Sequence, residues 1–463
     1  MTVEQILTVE QMRAAEQRIF DAGTPVFDLM QLASGRASEW VRRIAAGRRV
    51  TILCGPGNNG GDGYVMAHRL SEAGLKVQVV APDPPKTDAA QKARDLWGKS
   101  VVSSGGEVQG EVFVDCLFGS GLTRPLSAAH FLLLRDLSER HQFRIALDMP
   151  SGIASDTGAL LNEKLPRFDA TLALGAWKFA HFMLPGRNKM GVQRLVPIGV
   201  EAVDGAAEPL RKPNISAPAS DAHKYTRGLG VIVGGAMPGA GRLAAEAAMR
   251  GGAGYIKLAR QGEATGDNPA LVETSGDLEP VLDDKRTRAV LVGPGLGRDE
   301  KATARLTAAI SSGKPLVLDA DALMLLKPDM LGENQPILAT PHDGELEALC
   351  KSFAVIAEGR RERALALARA ANIVVLAKGP DTVIAAPDGR LRLARPAPSW
   401  LSVAGSGDVL AGIALSRLAN GADPFHAACE AVWLHGEAAR HCGPAFTPLQ
   451  LAHSVPTALT KCL

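Results

Sequence analysis

A short apolar run, Val50 to Cys54, breaks into the segment Gly55-Pro56-Gly57-Asn58-Asn59-Gly60-Gly61-Asp62-Gly63; a helical pattern, Tyr64 to Ala73, then leads to a second apolar run, Lys76 to Val80. Strand, glycine turn, helix and strand make a βαβ unit, which commits the chain to a parallel sheet covered by helices. The alternation continues through Val112 to Leu117, the helix-like Phe131 to Arg140, Arg144 to Leu147 and Ala170 to Leu174. Ligands of such sheets sit beyond the carboxyl ends of the strands. Four polar segments fall at those ends, 55–63, 115–125, 148–151 and 175–178, and one crevice is expected to collect them. Upstream, residues 8 to 46 read as two helices, with Thr8 as the first cap.

At 463 residues the chain is longer than one core usually grows. The periodicity fails from Gly199 to Ala222, where Pro209, Pro213 and Pro218 give the look of a linker, so the expected domains are 1–213 and 214–463. A second α/β series runs through Gly230 to Gly234, Tyr255 to Leu258, Ala289 to Val292, Pro315 to Leu318, Pro336 to Ala339, Ile373 to Leu376 and Thr382 to Ala385. It ends in a second glycine turn, Gly405-Ser406-Gly407-Asp408, before a helix expected over Val409 to Leu418. Amides at a helix N-terminus cradle anions, and the adjacent Asp408 can take a proton or simply cap the helix.

The net charge is +2, with Lys and Arg scattered, which argues against a nucleic-acid or membrane partner. The six cysteines form no C-x-x-C pair and read as small buried hydrophobes. Met1 to Phe20 carries Glu4, Glu10 and Glu16 and lacks a signal-peptide core, and no run of about 18 apolar residues occurs. A cytoplasmic enzyme is the expectation.

Gly55 to Gly60 satisfies G-x-G-x-x-G, so a dinucleotide site and a purely structural turn are both open readings. The expected acidic partner is only approximated by Asp83, in a Pro-rich loop, and the doubled Asn with Gly-Gly-Asp exceeds what a pyrophosphate turn needs. The longer pattern, with Val114-Asp115-Cys116-Leu117-Phe118-Gly119-Ser120-Gly121 and Asp148-Met149-Pro150-Ser151-Gly152, resembles the NAD(P)H-hydrate epimerases. The second half resembles the ADP/ATP-dependent NAD(P)H-hydrate dehydratases of the ribokinase-like superfamily. Its matching segments are His223-Lys224-Tyr225, Arg250 to Gly254, Gly293 to Gly297, Asp319 to Leu323, Thr340 to Glu345, Lys378-Gly379 and Gly405 to Asp408. The order is that of the fused bacterial repair enzymes. The implied fold class is α/β with two doubly wound domains, an N-terminal Rossmann-like three-layer domain and a C-terminal ribokinase-like domain.

The resemblance implies repair of hydrated NADH and NADPH: epimerisation of the R and S hydrates by the first domain and ADP-dependent dehydration of the S hydrate by the second. Phosphorylation turns a poor leaving group, hydroxide, into phosphate that the ring nitrogen can expel. Asp148 is the implied acid/base of the epimerase and Asp408 the base of the phosphoryl step. Hydrate contacts carry over onto Asn58, Asn59, Gly60, Gly61, Asp62, Gly119, Ser120, Gly121, Leu122, Thr123, Arg124, Pro125 and Asp148, and in the second domain onto Ala253, Gly297, His342 and Asp408. Nucleotide contacts fall on Lys378, Gly379, Pro380, Asp381, Thr382 and Gly407. K⁺ is implied at Asn59, Asp115 and Ser151, oxygen donors that suit a hard cation, and Mg²⁺ in the dehydratase domain. The expected partners are the hydrates and ADP, in a homo-oligomer. Three departures stand out: Asp343 where many relatives have Pro, Met324 where Asn is common, read as core or pocket wall, and Gln31-Leu32-Ala33-Ser34-Gly35 in place of a Glu-x-Ala-Gly segment. The competing readings are a ribokinase-like small-molecule kinase, and a dehydratase carrying a non-catalytic sensor or interaction domain.

Overall fold

The computed structural model describes residues 4–106, 108, 110–261 and 268–463. Met1 to Val3, the start of the segment read against a signal peptide, lie outside them. The chain divides into two compact units, Met1–Glu208 and Pro209–Leu463. No helix among the described residues is long and apolar enough to cross a membrane.

The first unit holds a parallel sheet in the order Val77–Val80, Val50–Cys54, Val112–Cys116, Phe143–Leu147, Ala170–Leu174 and Val192–Val196. Val50–Cys54, Val112–Cys116 and Ala170–Leu174 are buried throughout, as expected where helices cover both faces. The glycine-rich segment is not a long turn. The helix begins at Asn58 and runs to Glu72, six residues ahead of the expected start at Tyr64. Close approach is the reason. A β-carbon at Gly60 would overlap the Gly55 carbonyl, and one at Gly63 would collide with Cys54 and Cys116, so bare backbone seats the first turns directly on the sheet.

Thr8 caps the helix Val9–Asp21 in a reciprocal box with Gln11. The preceding strand Ile6–Leu7 pairs in parallel with Trp177–Lys178, placing Leu7 opposite Lys178. That pairing brings the first helix to the carboxyl ends of the sheet. Helix Val26–Ala45 packs Met30, Ala33, Ala37 and Val41 into the same core as Ile52 and Val114.

The second unit's sheet runs Val272–Ser275, Tyr255–Arg260, Leu229–Val233, Thr287–Val292, Leu316–Leu318, Ile337–Ala339, Val374–Ala377, Val383–Ala385 and Leu391–Leu393. It is parallel up to Val374–Ala377 and antiparallel beyond. Ile232, Leu291, Val317 and Leu338 form a core with Ile413 and Leu415 of the helix Ser406–Ala419. That helix starts three residues before its expected position, because Gly405 takes a left-handed cap at φ +93°. Cys54, Cys116, Cys350 and Cys462 are buried and Cys429 and Cys442 partly buried, all as free thiols. Met324, expected in the core or a pocket wall, is exposed.

Candidate active sites

In the first unit, Asp148 follows Phe143–Leu147 with φ +63°, a left-handed conformation that Asp tolerates better than most residues. Its carboxylate accepts from the amides of Ser120 (3.1 Å) and Leu174 (3.3 Å) and from the Lys178 ammonium. Lys178 is 1% exposed and also donates to the Leu174 carbonyl at 2.8 Å. Burial opposes ionisation of Asp148, but Lys178 outweighs it and holds the carboxyl below its ordinary range. His181 fixes the far side. Burial brings its imidazole down to about 4, so it is neutral. Its Nδ1 accepts from the Lys178 amide at 2.9 Å, which leaves Nε2 to donate to the Asp148 carbonyl at 2.9 Å.

A cavity of about 630 Å³ opens over this pair and is lined by Asn58, Asn59, Asp62, Gly119 to Arg124, Asp148 and Lys178. Gly60 and Gly61 are instead buried in helix packing, and Pro125 is exposed and outside the wall. Asp62 is the opposite of Asp148 electrostatically. Burial raises its carboxyl to about 8, with the Ser34 hydrogen bond opposing and the Asp148 charge adding. Ser34, in the segment that departs from the family pattern, donates its hydroxyl to Asp62 at 2.7 Å. Thr87 orients Asn58 through a 2.6 Å bond.

Asp115 is fully buried and accepts from the Leu117 amide (3.0 Å), the Ser151 amide (2.9 Å) and the Ser151 hydroxyl (2.8 Å). Burial nevertheless lifts it to about 6. Asn59 reaches the same loop: a β-carbon at Gly119 would lie 3.1 Å from its Oδ1 and 3.3 Å from an Asp148 oxygen. Its buried Nδ2 has no partner among the described residues.

Sequence reasoning passed over Lys178, although the segment 175–178 was placed at the crevice. It also missed Arg13 and Glu16, which reach the cavity from the first helix. Nothing local signals them, since their place depends on the pairing of Ile6–Leu7 with Trp177–Lys178.

In the second unit Asp408 is the third residue of Ser406–Ala419, a helix whose first-turn amides lack intrahelical acceptors. Burial raises Asp408 to about 7, Asp319 adds to the rise and Lys378 opposes it. A β-carbon at Gly407 would stand 3.5 Å from the Lys378 Nζ, so the ammonium overhangs the amide cradle. Lys378 donates to Asp319 at 2.5 Å, and Glu345 lies 3.9 Å away. Burial opposes its charge, but these carboxylates outweigh it and hold the ammonium above its ordinary value. Asp319 is also bound by the Thr340 hydroxyl at 2.7 Å. His435, neutral because burial brings it down to about 4, donates to the Ser406 carbonyl at 2.9 Å and braces the turn.

Thr382 closes the loop after Lys378 by donating to the Gly379 carbonyl at 2.7 Å. Gly297 follows Thr287–Val292 and donates to Asp321 at 3.0 Å. His342 caps Asp343–Ser352, with Nδ1 accepting from the amides of Gly344 (3.0 Å) and Glu345 (3.3 Å). Ala253 is not brought to this group. It precedes its strand, buried in the core, and Gly251, two residues earlier, packs against Ser416 near the far end of the helix Ser406–Ala419.

Two family models match the chain: "YjeF-related protein N-terminus" over residues 26–180 and "NAD(P)H-hydrate dehydratase" over residues 229–461. A Salinibacter ruber protein named bifunctional NAD(P)H-hydrate repair enzyme Nnr is 34% identical, over 96% of this chain and 93% of its own length. A Gloeobacter violaceus protein of the same name is also 34% identical, over 93% of each chain. The crystal structure of a Bacillus subtilis ADP/ATP-dependent NAD(P)H-hydrate dehydratase is 27% identical, with TM-score 0.48, over 54% of this chain and 95% of that one.

Proposed function

The chain belongs to the bifunctional NAD(P)H-hydrate repair enzymes, with an epimerase and a dehydratase activity, and from that premise we propose which groups carry each half. One observation carries the division: each unit has its own carboxylate and its own lysine at the carboxyl ends of its own sheet, Asp148 with the buried Lys178 and Asp408 with the half-buried Lys378.

In the epimerase half the hydrate binds in the cavity beside Asp148. The ring nitrogen lone pair expels the hydroxyl, which leaves as water after taking a proton, and an iminium remains. Asp62, protonated at neutral pH because burial raises it to about 8, has that proton to give. Water then adds from the other face of the ring, and ionised Asp148 takes the proton it loses. Exchange with solvent resets both carboxyls.

In the dehydratase half, Asp408 takes the proton of the substrate hydroxyl as its oxygen attacks the terminal phosphoryl group of ADP, the donor we propose, and AMP leaves with the bridging oxygen. The amides of Gly407 and Asp408 and the Lys378 ammonium offset the developing charge. The ring nitrogen then expels phosphate and restores the dihydronicotinamide. The setting we propose is the cytoplasm.

Asn59, Asp115 and Ser151 fit K⁺ by chemistry: each offers a side-chain oxygen, and no cation stands among the groups that set the ionisation of the buried Asp115 carboxylate. When bound, the ion supplies a countercharge. Asp115→Asn is expected to abolish the thermal stabilisation that K⁺ gives and to raise the K⁺ concentration for half-maximal epimerisation. An undiminished K⁺-dependent melting shift in that variant would remove the assignment. Among the described residues no cluster of three or more His, Cys, Asp or Glu forms a ready metal site. Mg²⁺, which supplies positive charge to phosphates, is commonly brought on their oxygens with few protein ligands, and Asp319 and Glu345 are the carboxylates at hand.

The test is an absorbance assay in the NADH band with both hydrate epimers, Mg²⁺, K⁺ and either ADP or ATP. Complete nucleotide-dependent recovery of NADH is expected, fastest with ADP. Recovery that stalls with one epimer left would leave the first unit without its activity.

A further inference from the structure

We propose that Arg360 is a positioning residue for the phosphoryl donor, holding the loop 379–382 in its binding shape by tying it to the helix that begins at Asp343. The inference rests on the reading of Lys378 to Thr382 as the donor site.

Arg360 opens the helix Arg360–Ala371, and its guanidinium spends its donors in two directions. Nε and Nη2 form a fork on the Asp343 carboxylate, with Nε at 2.8 Å. Nη1 donates to the Asp381 carboxylate and, at 3.3 Å, to the Asp381 carbonyl. The guanidinium also lies against Gly379, where a β-carbon would overlap it. Both Asp381 and Gly379 belong to the donor loop.

The bridge differs from an ordinary surface ion pair. An exposed pair contributes little to stability. Here the Arg360 side chain is 13% exposed and that of Asp381 8%, so removing the guanidinium strips a buried carboxylate of a charged partner. The relaxation falls on the loop, because the other elements of the bridge are helix starts. The third member is Asp343, whose carboxylate takes one edge of the guanidinium. Arg is the fitting cation, since only a planar fork serves Asp343 with one edge while reaching Asp381 with the other.

Arg360→Gln is expected to raise the KM for ADP, and for ATP in a parallel arm, by roughly tenfold, the scale of a misplaced binding loop. The kcat at saturating donor and the KM for the S hydrate stay near wild type. Arg360→Lys does not rescue the donor KM. Wild-type kcat at saturating donor reports that the second unit is folded, and Asp343→Asn, at an exposed position, shifts the donor KM the same way by a smaller factor should Arg360→Gln fail to fold. ADP affinity measured by calorimetry, with Lys378→Ala alongside, separates two failures. If Lys378→Ala loses ADP while Arg360→Gln and Asp343→Asn bind it normally, the positioning role is overturned and the donor site stands. If Lys378→Ala binds ADP as wild type does, the donor site itself falls. A fall in kcat with an unchanged donor KM also overturns the inference.

Discussion

Asp408→Asn lowers the dehydratase kcat by roughly a hundred- to ten-thousandfold, the usual contribution of a positioned general base, while R-to-S epimerisation continues at its wild-type rate. Asparagine keeps the shape of the first helical turn and the amides of Gly407 and Asp408, so donor affinity is preserved and the loss reports proton transfer alone. The pH profile carries the same signature. Asp408 works ionised, and with its carboxyl raised to about 7 by burial and the Asp319 charge, dehydratase kcat/KM climbs with pH through neutrality. Asp319→Asn removes the charge that opposes ionisation, so the acid limb moves to lower pH even as Lys378 loses its 2.5 Å partner. Single-turnover assays with purified S hydrate check both points. A dehydratase indifferent to Asp408→Asn, or flat in kcat/KM across pH 6 to 8, would exclude Asp408 as the base.

Strand positions and the two candidate bases were legible because each is encoded locally. Val50–Cys54 and Ala170–Leu174 are apolar runs with polar ends, and both strands have the expected limits. Asp148 and Asp408 are carried by motifs. The glycine segment misled, since its glycines permit a helix to sit on the sheet, a tertiary demand that mimics turn chemistry. The helix Asp88–Trp97 went unread behind the Pro-rich stretch that precedes its Thr87 cap. Lys178, Arg13, Glu16 and Arg360 were unreadable as site residues for a common reason: a lone charged side chain gains a role only from the segment it meets in space. Departures from the family pattern were visible without their meaning. Ser34 supplies a hydroxyl to Asp62, Asp343 supplies a carboxylate to Arg360, and Met324 is exposed.

Asp148→Asn is expected to slow interconversion of the epimers by roughly a hundred- to ten-thousandfold, measured by chromatography with nucleotide omitted so that the second unit is silent. The variant also leaves the Lys178 ammonium buried without its carboxylate, a change of about 3–5 kcal/mol in comparable pairs, so a thermal melt must accompany the rate. Lys178→Met separates catalysis from folding. In the wild type Lys178 holds Asp148 below the ordinary carboxylate range, so epimerase kcat/KM shows no acid limb near neutrality, where the dehydratase already falls. Without the ammonium the largest influence left on Asp148 is burial, which acts upward against the lesser lowering by His181 and the Leu174 amide. The base then takes up its proton at higher pH, so epimerisation acquires an acid limb that the wild type lacks, while the dehydratase profile in the same molecule stays where it was. A Lys178→Met profile that overlays the wild type would mean that Asp148 is not the group whose ionisation the reaction needs, whatever Asp148→Asn does to the rate.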